Sequence, residues 1–114
     1  MNPKIKGVIE VMKANLHRKL LLAELAESAN LSRTYLCRLF KMETGASPAQ
    51  YLQTLRMKAA GRLLATTQMS IKEIMLTVGY THKSLFMSHF KKAHGRTPSE
   101  YRAKQLAASL LKRG

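Results

Sequence analysis

The chain repeats itself. Leu36, Phe40, Gly45, Pro48 and Tyr51 recur as Phe86, Phe90, Gly95, Pro98 and Tyr101, each fifty positions later. Upstream, Leu22, Glu24, Leu25 and Ala29 recur as Ile71, Glu73, Ile74 and Val78, forty-nine positions later; one extra residue in the second turn accounts for the difference. Self-similarity at a fixed interval marks a structural unit used more than once. Whatever this chain folds into must hold two copies of one short substructure within 114 residues. That length suits one domain and not two large ones.

The hydrophobic spacing is helical throughout, with no convincing strand. Ile5, Val8, Ile9, Met12 and Leu16 share one face of a first helix with Pro3 near its start. Leu22 to Ala29 reads as a short second helix, and Ser32 caps a third with Leu36, Leu39 and Phe40 inward, ending at Gly45. Ser47-Pro48 opens a long helix to about Thr66, in which Gly61 reads as a close-packing position. Ser70 caps a short helix to about Val78, His82 to Ala93 forms the next, and Thr97-Pro98 opens the last. The expectation is an all-α fold of about seven helices. Residues 1–47 form the first subdomain, 48–67 a connecting helix, and 68–114 the second subdomain with the C-terminal helix. Each copy is a short helix, a tight turn, a longer helix and a Gly-x-x-Pro stop, which is the helix-turn-helix layout.

Charge narrows the partner. Lys and Arg total 20 against 6 acidic residues, all of them Glu, for a net charge of +14. Hydrophobic residues make up 46%, so a core is available and the chain is not a basic disordered tail. A folded domain this basic calls for a polyanion, and nucleic acid is the common one. Residues 1–57 hold nine Lys/Arg and four Glu, whereas 58–114 hold eleven and two. The second half therefore feels phosphate more strongly. Cys37 is the single cysteine, so no intrachain disulfide forms, as suits a reducing cytoplasm. No signal peptide and no apolar run of membrane-spanning length is present.

In a helix-turn-helix the second helix enters the major groove and its N-terminal half reads base edges. With Leu36, Leu39 and Phe40 inward, the opposite stripe of the first reading helix is Thr34, Cys37, Arg38 and Lys41, with Arg33 beside its start. Arg38 can fork onto a guanine, and Thr34 and Cys37 are small enough to touch a thymine methyl. The matching stripe in the second unit is Ser84, Met87, Ser88 and Lys91, with His82 and Lys83 at the start. Lys41, Lys91, Lys92, Arg96 and Thr97 are placed at phosphates. A 19-residue connecting helix is about 28 Å long. That is near the ~34 Å between successive major-groove faces, so one chain can cover two groove segments.

Other features read as structural. His89 takes the inward place of Leu39 and is expected to be a core histidine with a backbone partner. The methionines read as core filler. Cys37 reads as a small groove-facing or half-buried residue rather than a redox sensor. One cysteine and unsuitably spaced histidines make no metal site, no cofactor is implied, and no nucleophile-base pair or phosphate loop indicates an enzyme.

The second unit runs Ile71-x2-Ile74-x4-Gly79-Tyr80-x5-Phe86-x3-Phe90-Lys91-Lys92-x2-Gly95-x2-Pro98-x2-Tyr101-Arg102, and the connecting helix carries Arg56-x3-Ala60-x2-Leu63-Leu64. Over about residues 5–103 this closely resembles the DNA-binding domain of AraC/XylS-family bacterial transcription regulators. The resemblance implies seven helices in two subdomains, action at promoters, and activation through contact with RNA polymerase. It places base reading at Arg33, Thr34, Cys37 and Arg38, and at Lys83, Ser84, Met87 and Ser88. Ser88 stands where the family often has arginine, and Met75 where a small alanine is usual. Many relatives carry a further ligand-binding or dimerisation domain, and nothing here corresponds to one.

The expected function is thus a cytoplasmic, nucleoid-associated regulator of transcription that binds double-stranded DNA by sequence, as a monomer if the chain is complete. The alternative is a sequence-independent architectural nucleic-acid binder; a membrane-surface module is a weaker rival that only the last helix supports. Within the main reading, the first unit carries more specificity and the second more backbone anchoring. Arg38→Ala should therefore reduce discrimination between matched and mismatched sites more than Ser88→Ala, by the order of 1–3 kcal/mol at one base pair. A larger loss of discrimination from the Ser88 change contradicts that division.

Overall fold

The computed structural model describes residues 1–113. Seven helices follow in chain order: α1 (Pro3–Ala14), α2 (Leu22–Ser28), α3 (Arg33–Thr44), α4 (Pro48–Thr66), α5 (Ile71–Thr77), α6 (Lys83–His94) and α7 (Pro98–Arg113). No strand occurs among the described residues, so the all-α expectation holds. Two compact units divide inside α4, the first ending at Leu55 and the second beginning at Arg56. Each unit holds one helix-turn-helix: α2–α3 in the first, α5–α6 in the second.

Local chemistry sets the helix starts. The Asn2 side chain accepts the Lys4 and Ile5 N–H groups at the head of α1, and Ser32 accepts the Tyr35 N–H at the head of α3. Reciprocal boxes open α4, α5 and α7. Ser47 Oγ takes the Gln50 N–H while Gln50 takes the Ser47 N–H, and Ser70–Glu73 and Thr97–Glu100 do the same. Leu21, before α2, has no side-chain oxygen to offer. There the Glu24 carboxylate accepts the Leu21 N–H at 3.3 Å and holds Arg18 at 2.9 Å.

The repeat extends to the backbone. Asn30 (φ 56°) and Gly79 (φ 91°) take the left-handed conformation at matching places in the two turns. Leu31 N–H donates to Ala26 C=O and Tyr80 N–H to Met75 C=O, each at 2.9 Å. From residue 32 to 50, each residue is buried, half-buried or exposed as is the one fifty positions later. α3 and α6 end alike: left-handed Gly45 and Gly95 donate to the Lys41 and Lys91 carbonyls.

In the first unit Ile5, Val8, Ile9 and Met12 of α1 meet Leu25 and Ala26 of α2, Leu36 and Phe40 of α3, and Leu52 of α4. Tyr51 sets its ring edge-to-face on Phe40, centroids 5.3 Å apart. In the second, Met57, Ala60 and Leu64 of α4, Ile74 and Met75 of α5, and Phe86 and Phe90 of α6 are buried. Tyr101 repeats the edge-to-face contact on Phe90 at 5.4 Å. Met75 is accommodated in this core at 7% exposure despite its size. Burying each large apolar side chain contributes roughly 1.5–3 kcal/mol before the entropy of ordering it.

Two expectations need correction. Methionine fills the core at Met12, Met57 and Met75, but Met1 and Met42 are 69% and 76% exposed. His89 is only half-buried, and its partner is a side chain, the Tyr80 hydroxyl, at 2.6 Å. The histidine with a backbone partner is His94, whose Nε2 donates to the Met57 carbonyl at 2.9 Å. His94 also stacks on Phe90, centroids 4.3 Å apart. The reason is geometric: residue 39 of α3 and residue 89 of α6 lie at the rim of their cores, while residue 94 faces α4.

Gly61 is buried where an added Cβ would lie 3.2 Å from both His94 Cε1 and the Tyr101 hydroxyl. His94 is held by its hydrogen bond and its stack, so it has little room to yield. Gly61→Val should lower stability by about 2 kcal/mol. Gly7, exposed in α1 with nothing within 4 Å of its Cβ site, is the control: Gly7→Ala should raise stability by about 0.5–1 kcal/mol. Denaturant unfolding of both variants checks the pair, and equal effects would contradict the packing. Hydrogen bonds from the Thr97 backbone and side chain, then the charges of Lys91 and Arg96, hold the Glu100 carboxyl below the usual carboxylate range. A carboxyl with a lowered folded pKa stabilises the fold above its unfolded pKa and loses that contribution as pH falls through the folded value. Between about pH 5 and pH 3, wild type should therefore lose more thermal stability than Glu100→Gln, which copies the uncharged box at Gln50.

Candidate nucleic-acid interface

The rotation of α3 is fixed from within by Leu36 and Phe40, both fully buried, and that of α6 by Phe86 and Phe90. What remains outside follows from the 100° step of the helix. On α3, Arg33, Thr34, Arg38 and Lys41 are exposed, and Cys37 is half-buried at the edge of the stripe. On α6, Lys83, Ser84, Ser88, Lys91 and Lys92 are exposed, and Met87 is half-buried at the place matching Cys37. The structure thus gathers the four residues expected to read bases on each helix onto one side of that helix. Cys37 and Met87 sit at the flank of their stripes.

The phosphate candidates divide by environment. Lys41 and Lys92 have no acidic residue on their own stripes, since α6 carries none and α3 only Glu43, which accepts the Asn2 N–H, while Lys91 lies close enough to Glu100 to stabilise its charge. Arg96 is half-buried and close enough to Glu100 to stabilise its charge. Thr97 is engaged as the cap of α7: its N–H donates to Glu100 and its hydroxyl oxygen accepts the Glu100 N–H. Both stripes are thereby basic or neutral along their whole length.

Sequence reasoning passed over three features here. Tyr35 and Leu85, exposed by 50% and 46%, stand at matching positions in the first turns of α3 and α6 and widen the outward faces. The fifty-residue interval would have paired them. The Tyr80–His89 hydrogen bond, at the turn that leads into α6, has no signature in spacing. Arg102 donates through Nε to the Leu64 carbonyl and through Nη2 to the Thr67 carbonyl, closing the C-terminal end of α4 where no glycine does. Among the described residues no His/Cys/Asp/Glu group is arranged to hold a metal, and no helix is long and apolar enough to cross a membrane.

Comparison with known proteins adds independent support. Residues 25–104 match a family described as a helix-turn-helix domain. The lactose operon transcription activator of Staphylococcus xylosus is 34% identical over 102 residues, covering 90% of this chain and 37% of that protein. The chain spans about two fifths of the length of the curated relatives it matches. Among solved structures, the C-terminal domain of the response regulator AraT from Geobacillus stearothermophilus superposes with a TM-score of 0.85 at 35% identity, covering 90% of this chain and 86% of that one. The DNA-binding domain of the transcriptional factor AdpA, solved in complex with a target DNA, superposes with a TM-score of 0.88 at 31% identity, covering 94% and 96%. With its paired helix-turn-helix units and these matches, the chain belongs to the AraC/XylS-type helix-turn-helix family.

Proposed function

We propose that this chain binds double-stranded DNA by sequence and regulates transcription, as an activator, by seating α3 and α6 in adjacent major-groove segments of a promoter. The observation that carries the reading is the matched outward stripe on the two helices, in a chain of net charge +14. Arg38 supplies the strongest base discrimination, through a bidentate contact to guanine. Thr34 and Ser84, each in the first turn of its helix, and Ser88, one turn on, approach base edges. Arg33 and Lys83 reach bases from the helix starts, and Cys37 and Met87 offer apolar contact at the flank. Lys41, Lys91, Lys92, Arg96 and the Thr97 hydroxyl set the register on the phosphates.

The Staphylococcus xylosus relative is a transcription activator, and RNA polymerase is the partner that activation requires. The chain acts in this reading as a binding module with no catalysis, in the cytoplasm with the nucleoid. A DNA-bound relative of the same fold supports the choice of duplex DNA.

Titration against a duplex selected from random sequence and against a scrambled duplex, across a salt series, tests the proposal. The selected duplex should bind at least about 10³-fold tighter at physiological salt. With four cationic phosphate contacts, the slope of log K against log salt should be about −3.5. Equal affinity for both duplexes contradicts sequence reading and leaves the architectural alternative.

A further inference from the structure

The turn into α6 is tied to that helix differently from the turn into α3. Tyr80 follows left-handed Gly79 and is buried, at 7% exposure. Its hydroxyl lies 2.6 Å from His89 Nδ1, and its ring meets the edges of Phe86 and His89 at 5.4 and 5.5 Å. Burial pushes the phenol above the usual tyrosine range, while the nearby Arg56 charge acts in the opposite sense. The phenol thus keeps its proton, and its hydroxyl shares one short hydrogen bond with the ring nitrogen, the donor being set by the imidazole tautomer. Under the repeat, Tyr80 corresponds to Leu31 and His89 to Leu39. Both leucines are partly buried against the first core. At the matching places the first unit packs leucines on its core, and the second joins turn and reading helix by a directed hydrogen bond.

The difference matches what each helix presents. Arg38 is long and can adjust several torsions to find a base. Ser84 and Ser88 extend one bond beyond Cβ, so a small rotation of α6 removes their contacts. An apolar contact tolerates such rotation; a short hydrogen bond to a ring nitrogen on the helix does not. His89 is the immediate neighbour of Ser88. Short readers need a helix held by supporting contacts.

We infer that Tyr80 and His89 are a positioning pair: their hydrogen bond fixes the rotation of α6 and with it the base contacts of Ser84, Met87 and Ser88, without either residue touching DNA. The inference rests on the reading of α6 as a base-contacting helix. The test measures, for each variant, thermal midpoint and affinity for the selected and scrambled duplexes at one salt concentration. Tyr80→Phe removes only the hydroxyl and keeps the ring, so it breaks the hydrogen bond with the least change to packing. Tyr80→Phe should lower the ratio of selected to scrambled affinity by about five-fold. Scrambled binding, which depends on phosphates, should stay within about two-fold of wild type. The double variant Tyr80→Phe/His89→Leu should be no worse than the weaker single, because both remove the same bond. Tyr80→Leu/His89→Leu, which installs the first unit's pair, should recover part of the ratio. An unchanged ratio in Tyr80→Phe, with or without a lower thermal midpoint, overturns the pairing. A wild-type protein that shows no preference at all overturns the reading of α6 first, and the two failures are thereby distinct.

Discussion

Which residues a helix shows to a partner is decided by one variable, its rotation about its own axis. In each unit that rotation is set by two side chains a turn apart, Leu36 and Phe40 in α3, Phe86 and Phe90 in α6, all fully buried. The second of each pair is also gripped edge-on by a tyrosine from the next helix, Tyr51 or Tyr101. The tyrosine is brought there by the left-handed glycine and the capped proline start that follow. Turn chemistry, aromatic packing and helix rotation thus form one device, used twice. Everything outward, including the basic stripes, is what remains once these inner positions are committed.

The two copies differ where chemistry is delegated. The first presents an arginine and packs leucines on its core at the matching places. The second presents serines and is fastened by a hydrogen bond between tyrosine and histidine. At the far end of the reading helix, Thr44 closes on its own backbone by donating to the Phe40 carbonyl. His94, the matching residue, reaches across to the Met57 carbonyl of α4. The second unit is more cross-tied by polar contacts, and its stripe is richer in lysine. Both properties suit a module whose weak base readers rely on accurate placement and on phosphate attraction.

Helix number, bounds and outward stripes were legible in the sequence because they depend on local signals. Caps such as Ser32, Ser70 and Thr97, stops such as Gly45 and Gly95, and the spacing of Leu36 and Phe40 all act within a few residues. Contacts across the chain were not legible. Nothing about His89 alone separates a backbone partner from Tyr80, nine residues away, or marks His94 as the histidine that faces α4. Met42 reads as core by type and is exposed because it lies on the outer face of α3. The Arg18–Glu24 pair at the start of α2 likewise answers a missing capping side chain at Leu21, and its geometry appears only once the loop is folded. Of the candidate site, the outward face was readable, and half-burial was one of two places the sequence left open for Cys37, whereas the half-burial of Met87 was not legible.

The account stands on two helices reading one duplex through their outward stripes. Methylation interference at guanine N7 on a selected duplex measures this most directly. Two clusters of interference in the major groove are predicted, about one helical turn apart on one face, with Arg38→Ala erasing effects in one cluster only. A single cluster, or interference confined to the minor groove, would contradict it.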